Sequence, residues 1–174
     1  MKKYVLVLFV IALSQMLVAQ IGINQSNNGI GTSKMSMGMG IGVDYGGFGI
    51  NTEIRTSNKL AVTVGFGTML DYGLGYSFGT RYYLRGQNQT WQPRISVLYG
   101  TNVAAIEEYY DYYDYYTEYK LYSGLDIGIG QKWAWGRTKK HGMNFDLLFI
   151  ITSSAPEYME LPVMDISVGY IYNF

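Results

Sequence analysis

The sequence predicts an all-β chain closed into an antiparallel barrel of about eight strands in up-and-down order. Three observations carry that prediction. Apolar residues recur at every second position along most of the chain, the period of a strand with two unlike faces. One face of each such segment is apolar and free of charge, while the other is small or polar. No convincing 3.6-residue period appears anywhere after residue 20.

Eight segments follow this pattern in order. Met37, Met39, Ile41 and Val43 alternate with Ser36, Gly38, Gly40 and Gly42. Phe48, Ile50, Thr52 and Ile54 then oppose Gly49, Asn51, Glu53 and Arg55, and Leu60 to Phe66 oppose Ala61 to Gly67. The fourth segment runs from Tyr72 through Phe78 to Tyr82, with Gly73 to Arg81 on its other face. Trp91 to Tyr99 and Leu125 to Ile129 make the fifth and sixth. Met143 to Ile151 and Met164 to Phe174 complete the set.

The composition of the two faces decides which solvent each one meets. A soluble barrel turns its apolar face inward and needs long charged residues outside. Here the polar face is mostly Gly, Ser and Asn, which suits the crowded inside of a narrow barrel. The apolar face carries no charge within any strand, as contact with lipid requires. Tyr82, Trp91, Tyr170, Tyr172 and Phe174 sit near strand ends, where an interfacial aromatic belt forms. The expected fold is therefore a transmembrane barrel. In hydrocarbon every backbone polar group must be paired, so such a sheet has to close. An even strand number puts both termini on one side.

The rest of the chain agrees with an envelope location. Lys2 and Lys3, an apolar run from Tyr4 to Leu13, and Leu17-Val18-Ala19 before the expected cut are read as a secretory signal peptide over residues 1–19. The barrel domain is assigned to 20–174. With 174 residues the chain suits one domain, and no Cys excludes disulfides, thiolate metal sites and a lipid-anchored N-terminus. Thirteen basic and thirteen acidic residues give no net charge and no basic run, so nucleic acid is not an expected partner. The short Thr56–Lys59 and Gly86–Thr90 connections are expected on the periplasmic side. The longer 103–118 and 152–162 connections are expected outside. The Trp133–His141 turn is long for the inner side, and the connections near Asp44–Gly47 and Thr68–Asp71 are short for the outer side.

With these features in place, the chain resembles the small OmpA/OmpX-like outer-membrane β-barrels of Gram-negative bacteria. The signal peptide, the eight segments and the ending Val168-Gly169-Tyr170-Ile171-Tyr172-Asn173-Phe174 carry the likeness. Gly79-Thr80-Arg81-Tyr82-Tyr83, followed by a turn and Pro93 to Gly100, is similar to a strand pair of such barrels. The resemblance implies a monomer in the cell outer membrane with periplasmic termini, surrounded by lipid and lipopolysaccharide. It implies that Tyr170, Tyr172 and Phe174 are read by the barrel-insertion machinery. No peptidoglycan-binding domain is expected after the barrel. The family hosts several activities, so it implies no particular one.

Three groups of residues are candidates for function. Glu53, Arg55, Arg81, Arg94, Asp126, Asp146 and Asp165 are expected to face the interior, with Lys120 and Lys132 near the rims. Eight strands leave room for little more than side chains, so these charges should pair into a plug. A narrow porin-like conduit for small solutes is the alternative. The second group is the tyrosine-rich segment 106–119, with Tyr109, Tyr110, Asp111, Tyr112, Tyr113, Asp114, Tyr115 and Tyr116 at its centre. Tyr offers large contact area at low entropic cost, so a surface protein or glycan could dock there, or the segment could be a self-packed hairpin extension. The third is His141, the sole histidine, expected in a periplasmic turn beside Lys139 and Lys140. That is the wrong side for outer-leaflet lipid chemistry, so no catalytic residue is assigned. Gly38-Met39-Gly40-Ile41-Gly42 lies inside a strand with no helix after it, so no nucleotide, metal or other cofactor is read from it. The expected role is structural or surface interaction, without catalysis.

Overall fold

A computed structural model of the chain describes residues 35–87, 89–110 and 115–174, with the side chains of 108–110 and 115–116 also outside the description. The signal segment 1–19 lies outside the described residues, as do Asp111, Tyr112, Tyr113 and Asp114. Eight antiparallel strands close into one up-and-down barrel: β1 Met35–Gly42, β2 Gly47–Arg55, β3 Leu60–Thr68, β4 Leu74–Tyr83, β5 Trp91–Tyr110, β6 Tyr115–Trp135, β7 His141–Ile150 and β8 Met164–Asn173. Closure is made by β1 against β8, in register from Ser36 opposite Asn173 to Ile41 opposite Val168. Phe174 N donates to Met35 O at 3.0 Å and seals the seam. The fold class predicted from alternation is the one observed.

The alternation maps directly onto inside and outside. Ile41, Phe48 and Ile129 are 59%, 61% and 59% exposed, whereas Arg81 and Arg94 are 0% and 1% exposed. This inverts the usual distribution, in which charged residues are almost never fully buried. The apolar interior is small, a cluster of Val43, Leu98 and Leu148. Among the described residues no helix is long and apolar enough to cross a membrane.

Strand ends depart from the sequence reading in four places. Val43, expected on the outer face of the first strand, is buried in a 3-10 turn, Val43–Tyr45, that bends into the barrel. Gly46, at φ +65°, ends the turn and returns the chain to β2. Tyr72, expected to begin the fourth strand, sits in a second 3-10 turn, Leu70–Tyr72. The 103–118 connection is not a loop, because β5 and β6 stay paired out to Tyr110 opposite Tyr115. Tyr is a strong strand former, and its repetition keeps the hairpin extended. β6 also continues to Trp135, so the turn before His141 shortens to residues 136–140.

The two ends of the barrel differ. The terminal end holds both chain ends of the barrel and the connections 56–59, 84–90 and 136–140. The loop end holds the two 3-10 turns, the long β5–β6 hairpin and the connection 151–163. Aromatic rings gather on the outer surface of the terminal end. Trp91 and Trp133 stack at 5.6 Å, Trp135 meets Trp133 edge-on at 6.0 Å, and Tyr172 lies between His141 and Phe174 at 5.4 and 5.2 Å.

Candidate functional site

The interior site is built by strand parity plus one turn. Inward positions of β2 supply Asn51, Glu53 and Arg55, and β4 supplies Arg81 and Tyr83. β5, β6 and β7 supply Arg94, Lys132, Asn144 and Asp146. The Val43–Tyr45 turn adds Asp44, which no parity argument reaches.

Glu53 is the hub. Its carboxylate accepts from Arg81 Nη1 at 3.0 Å, from Lys132 Nζ at 3.3 Å and from the Tyr83 hydroxyl at 2.7 and 2.8 Å. Arg94 Nη1 and Arg55 Nε lie at 3.5 and 3.7 Å from it. A second anionic centre holds the other side of the guanidinium pair. Arg94 makes a two-pronged pair with Asp146, through Nε at 3.0 Å and through Nη2, and also donates to Asn144 Oδ1 at 3.1 Å. Bidentate guanidinium–carboxylate pairing of this kind is the strongest and most directional available. Asp44 Oδ2 accepts from Arg81 Nη2 at 2.5 Å and lies 3.8 Å from Arg94 Nη2. Four cations (Arg55, Arg81, Arg94 and Lys132) thus share one buried cluster with three anions (Asp44, Glu53 and Asp146).

The terminal end of the cluster is closed by stacking and by amides. The Arg55 guanidinium lies 3.4 Å from the centre of the Tyr83 ring, a cation–π contact shielded from water. Its Nη2 donates to Gln92 Oε1 at 2.5 Å, and Gln92 Nε2 donates to the carbonyls of Gln87 and Gln89. Lys132 Nζ also donates to Ser36 Oγ at 3.1 Å.

The turn that carries Asp44 is held through its backbone by side chains of three strands, β2, β4 and β8. Asp44 N donates to Ser167 Oγ at 3.1 Å, and Asp44 O accepts from Asn51 Nδ2 at 2.7 Å and from Ser77 Oγ at 3.0 Å. It fits because the facing residues have no side chains. A Cβ at Gly65 would strike the Asp44 carbonyl, and one at Gly40 or Gly169 would strike the Tyr45 ring.

Of the seven interior residues read from sequence, Glu53, Arg55, Arg81, Arg94 and Asp146 meet in this cluster. Asp126 and Asp165 do not; they face the interior nearer the loop end and form no ion pair among the described residues. Lys132 joins the cluster, whereas Lys120 lies on the hairpin, 2.6 Å from Glu107 and 3.1 Å from Glu118. Tyr83, Asn51 and Asn144 were missed as members, although their inward parity was visible. His141 is the first residue of β7, not a turn residue, and its Nδ1 lies 2.5 Å from the Tyr170 hydroxyl on the outer face. Tyr109 and Tyr110 pair along the backbone with Tyr116 and Tyr115. Tyr170, Tyr172 and Phe174 line the outer surface of the closing strand and the residue after it. No protein-family model matches the chain, and no curated protein matches it either.

Proposed function

We propose that the chain is an integral outer-membrane barrel of the OmpA/OmpX-like kind, with a structural or surface-interaction role and an interior closed by its charge cluster. The observation that carries this reading is the outward face of the eight strands. Its residues are apolar, uncharged and widely exposed, and an exposed apolar surface of that extent is not tolerated in water. Strands β1 to β4, β7 and β8 have 8 to 10 residues, close to the 9–11 of a tilted spanning strand. The Trp and Tyr belt at the terminal end suits a membrane–water boundary.

On this reading the termini are periplasmic, Tyr170, Tyr172 and Phe174 present the insertion signal, and lipid and lipopolysaccharide surround a monomer. The tyrosine-rich hairpin 106–119 then projects outward as the surface for a protein or glycan partner. His141 sits among Tyr rings at the terminal end, on this reading the side away from outer-leaflet lipid, and we assign no catalysis. A small passive pore is the second reading. Its one support is an open, mostly apolar cleft of about 510 Å³ at the loop end, lined by Ile41, Phe48 and Leu70 as well as Asn102 and Asp165.

The deciding experiment is refolding into planar lipid bilayers with single-channel recording, after insertion is confirmed by heat-dependent gel mobility. Insertion without conductance steps is expected. Stable steps would replace the closed interior with the pore, and failure to insert into any bilayer would remove the membrane assignment itself.

A further inference from the structure

Asn102, Asp126 and Asp165 form a second polar group, separate from the charge cluster. A β-bulge between Thr101 and Val103 turns Asn102 inward, where it is 4% exposed. Bulges commonly re-aim a side chain in this way. Asn102 Nδ2 donates to Asp126 Oδ1 at 3.0 Å and to Thr152 O at 2.9 Å. Both partners are acceptors, so the amide can sit in only one orientation and its oxygen is left over.

That oxygen is buried and accepts no hydrogen bond, and the same holds for Asp126 Oδ2 and Asp165 Oδ2. Asp126 is 0% exposed, and Asn102 links the two carboxylates, hydrogen-bonded to Asp126 and sharing the loop-end cleft with Asp165. Three buried acceptors, two of them carboxylate oxygens, thus face the interior with no donor and no cation among the described residues. Leaving such groups unsatisfied costs more than an ordinary hydrogen bond returns. Asn102 and Asp165 also line the cleft at the loop end, which gives the group a route to solvent.

The geometry points to a binding site for a hard divalent cation of the calcium class at Asn102, Asp126 and Asp165. Two carboxylates match a charge of two, and carboxylate and amide oxygens are the ligands such ions prefer. Water entering through the cleft completes the coordination shell. Softer metals are disfavoured because the chain has no Cys and its one His lies at the opposite end. With only three protein ligands the affinity belongs with weak extracellular sites, about 10⁻⁴–10⁻³ M. The site does not depend on the membrane assignment.

The test is calorimetric titration of the chelator-treated, refolded full chain in micelles with CaCl₂, beside Asp126→Asn, Asp165→Asn and a variant shortened across 108–116. One saturable site is expected in the parent and in the shortened variant, weakened at least tenfold in both Asp variants. Asp165→Asn guards against a folding failure, because Asp165 is only partly buried. Thermal unfolding gives a second readout. Ca²⁺ should raise the melting temperature of the parent but not of Asp126→Asn, which in EDTA should be at least as stable as the parent. The proposal is overturned by the absence of a saturable site in the parent, by parent-like binding in both Asp variants, or by loss of binding only when the hairpin is shortened.

Discussion

Glu53 shows why single residues matter here. Its two oxygens face Arg81, Lys132, Arg55 and Arg94, and among the described residues it is the one carboxylate paired with Arg55 and Lys132. Removing one partner from a buried ionic group strands the others, at a cost of about 3–5 kcal/mol. Glu53→Gln should therefore lower unfolding stability in micelles by that amount, measured by denaturant titration. Arg55 offers a contrast. Its guanidinium rests on Tyr83 rather than on a close carboxylate, so Tyr83→Phe, which keeps the ring, should preserve that contact and lose only the hydroxyl bonds to Glu53 and from Arg94. A loss of about 1–3 kcal/mol is expected for the stranded hydroxyl partners. Glu53, Arg81 and Arg94 were legible from parity alone. Their pairing was not, because partners come from strands far apart in sequence: Arg94 and Asp146 are 52 residues apart.

At the scale of elements, the Val43–Tyr45 turn and the β5–β6 hairpin are the two departures from a plain meander. The turn enters the barrel because Gly40, Gly65 and Gly169 leave its volume empty. Gly169→Val should therefore collide with the Tyr45 ring and destabilise the barrel by about 1–3 kcal/mol. Tyr45→Ala added to it should recover part of that loss, and a double-mutant cycle measures the coupling. The inward glycines were plain in the sequence, but they read as generic small residues suited to a narrow interior. What occupied the space was a connection that looked like a short surface loop. The hairpin behaves oppositely. Beyond the barrel rim it is held by its own cross-strand pairs, including Glu107 with Lys120. Shortening it across 108–116 should leave barrel stability within about 0.5 kcal/mol, since such surface changes touch no core feature.

At the scale of the whole molecule, the barrel is an inverted protein, with charged side chains inside and apolar side chains outside. The interior charges hold the strands from within, while the outer face depends on the solvent it meets. The Trp91–Trp133 stack gives a direct measure of that solvent. In bilayers of brominated lipids, quenching of Trp fluorescence should be strongest for labels near the headgroups and weak for labels at the bilayer centre. The reverse order, or no quenching, would remove these rings from the membrane boundary. The charge distribution along the axis is also uneven. Arg55 and Lys132 lie towards the terminal end, and Asp126 and Asp165 towards the loop end.

By itself, the sequence determined the barrel, its count of about eight strands and which side chains of the regular strands point inward, because a period of two assigns every residue of a strand to one of two faces. It equally determined that the outward face is free of charge. Only the tertiary structure decided that Asp44 completes the charge cluster, that Tyr109, Tyr110, Tyr115 and Tyr116 extend two strands, and that Asp126 and Asp165 stand outside the ion pairs of the described residues. These three outcomes depend on contacts across the closed barrel or on a bulge and a turn that break the period. A one-dimensional pattern holds no record of either, because the distance across a barrel is fixed by closure and not by separation along the chain.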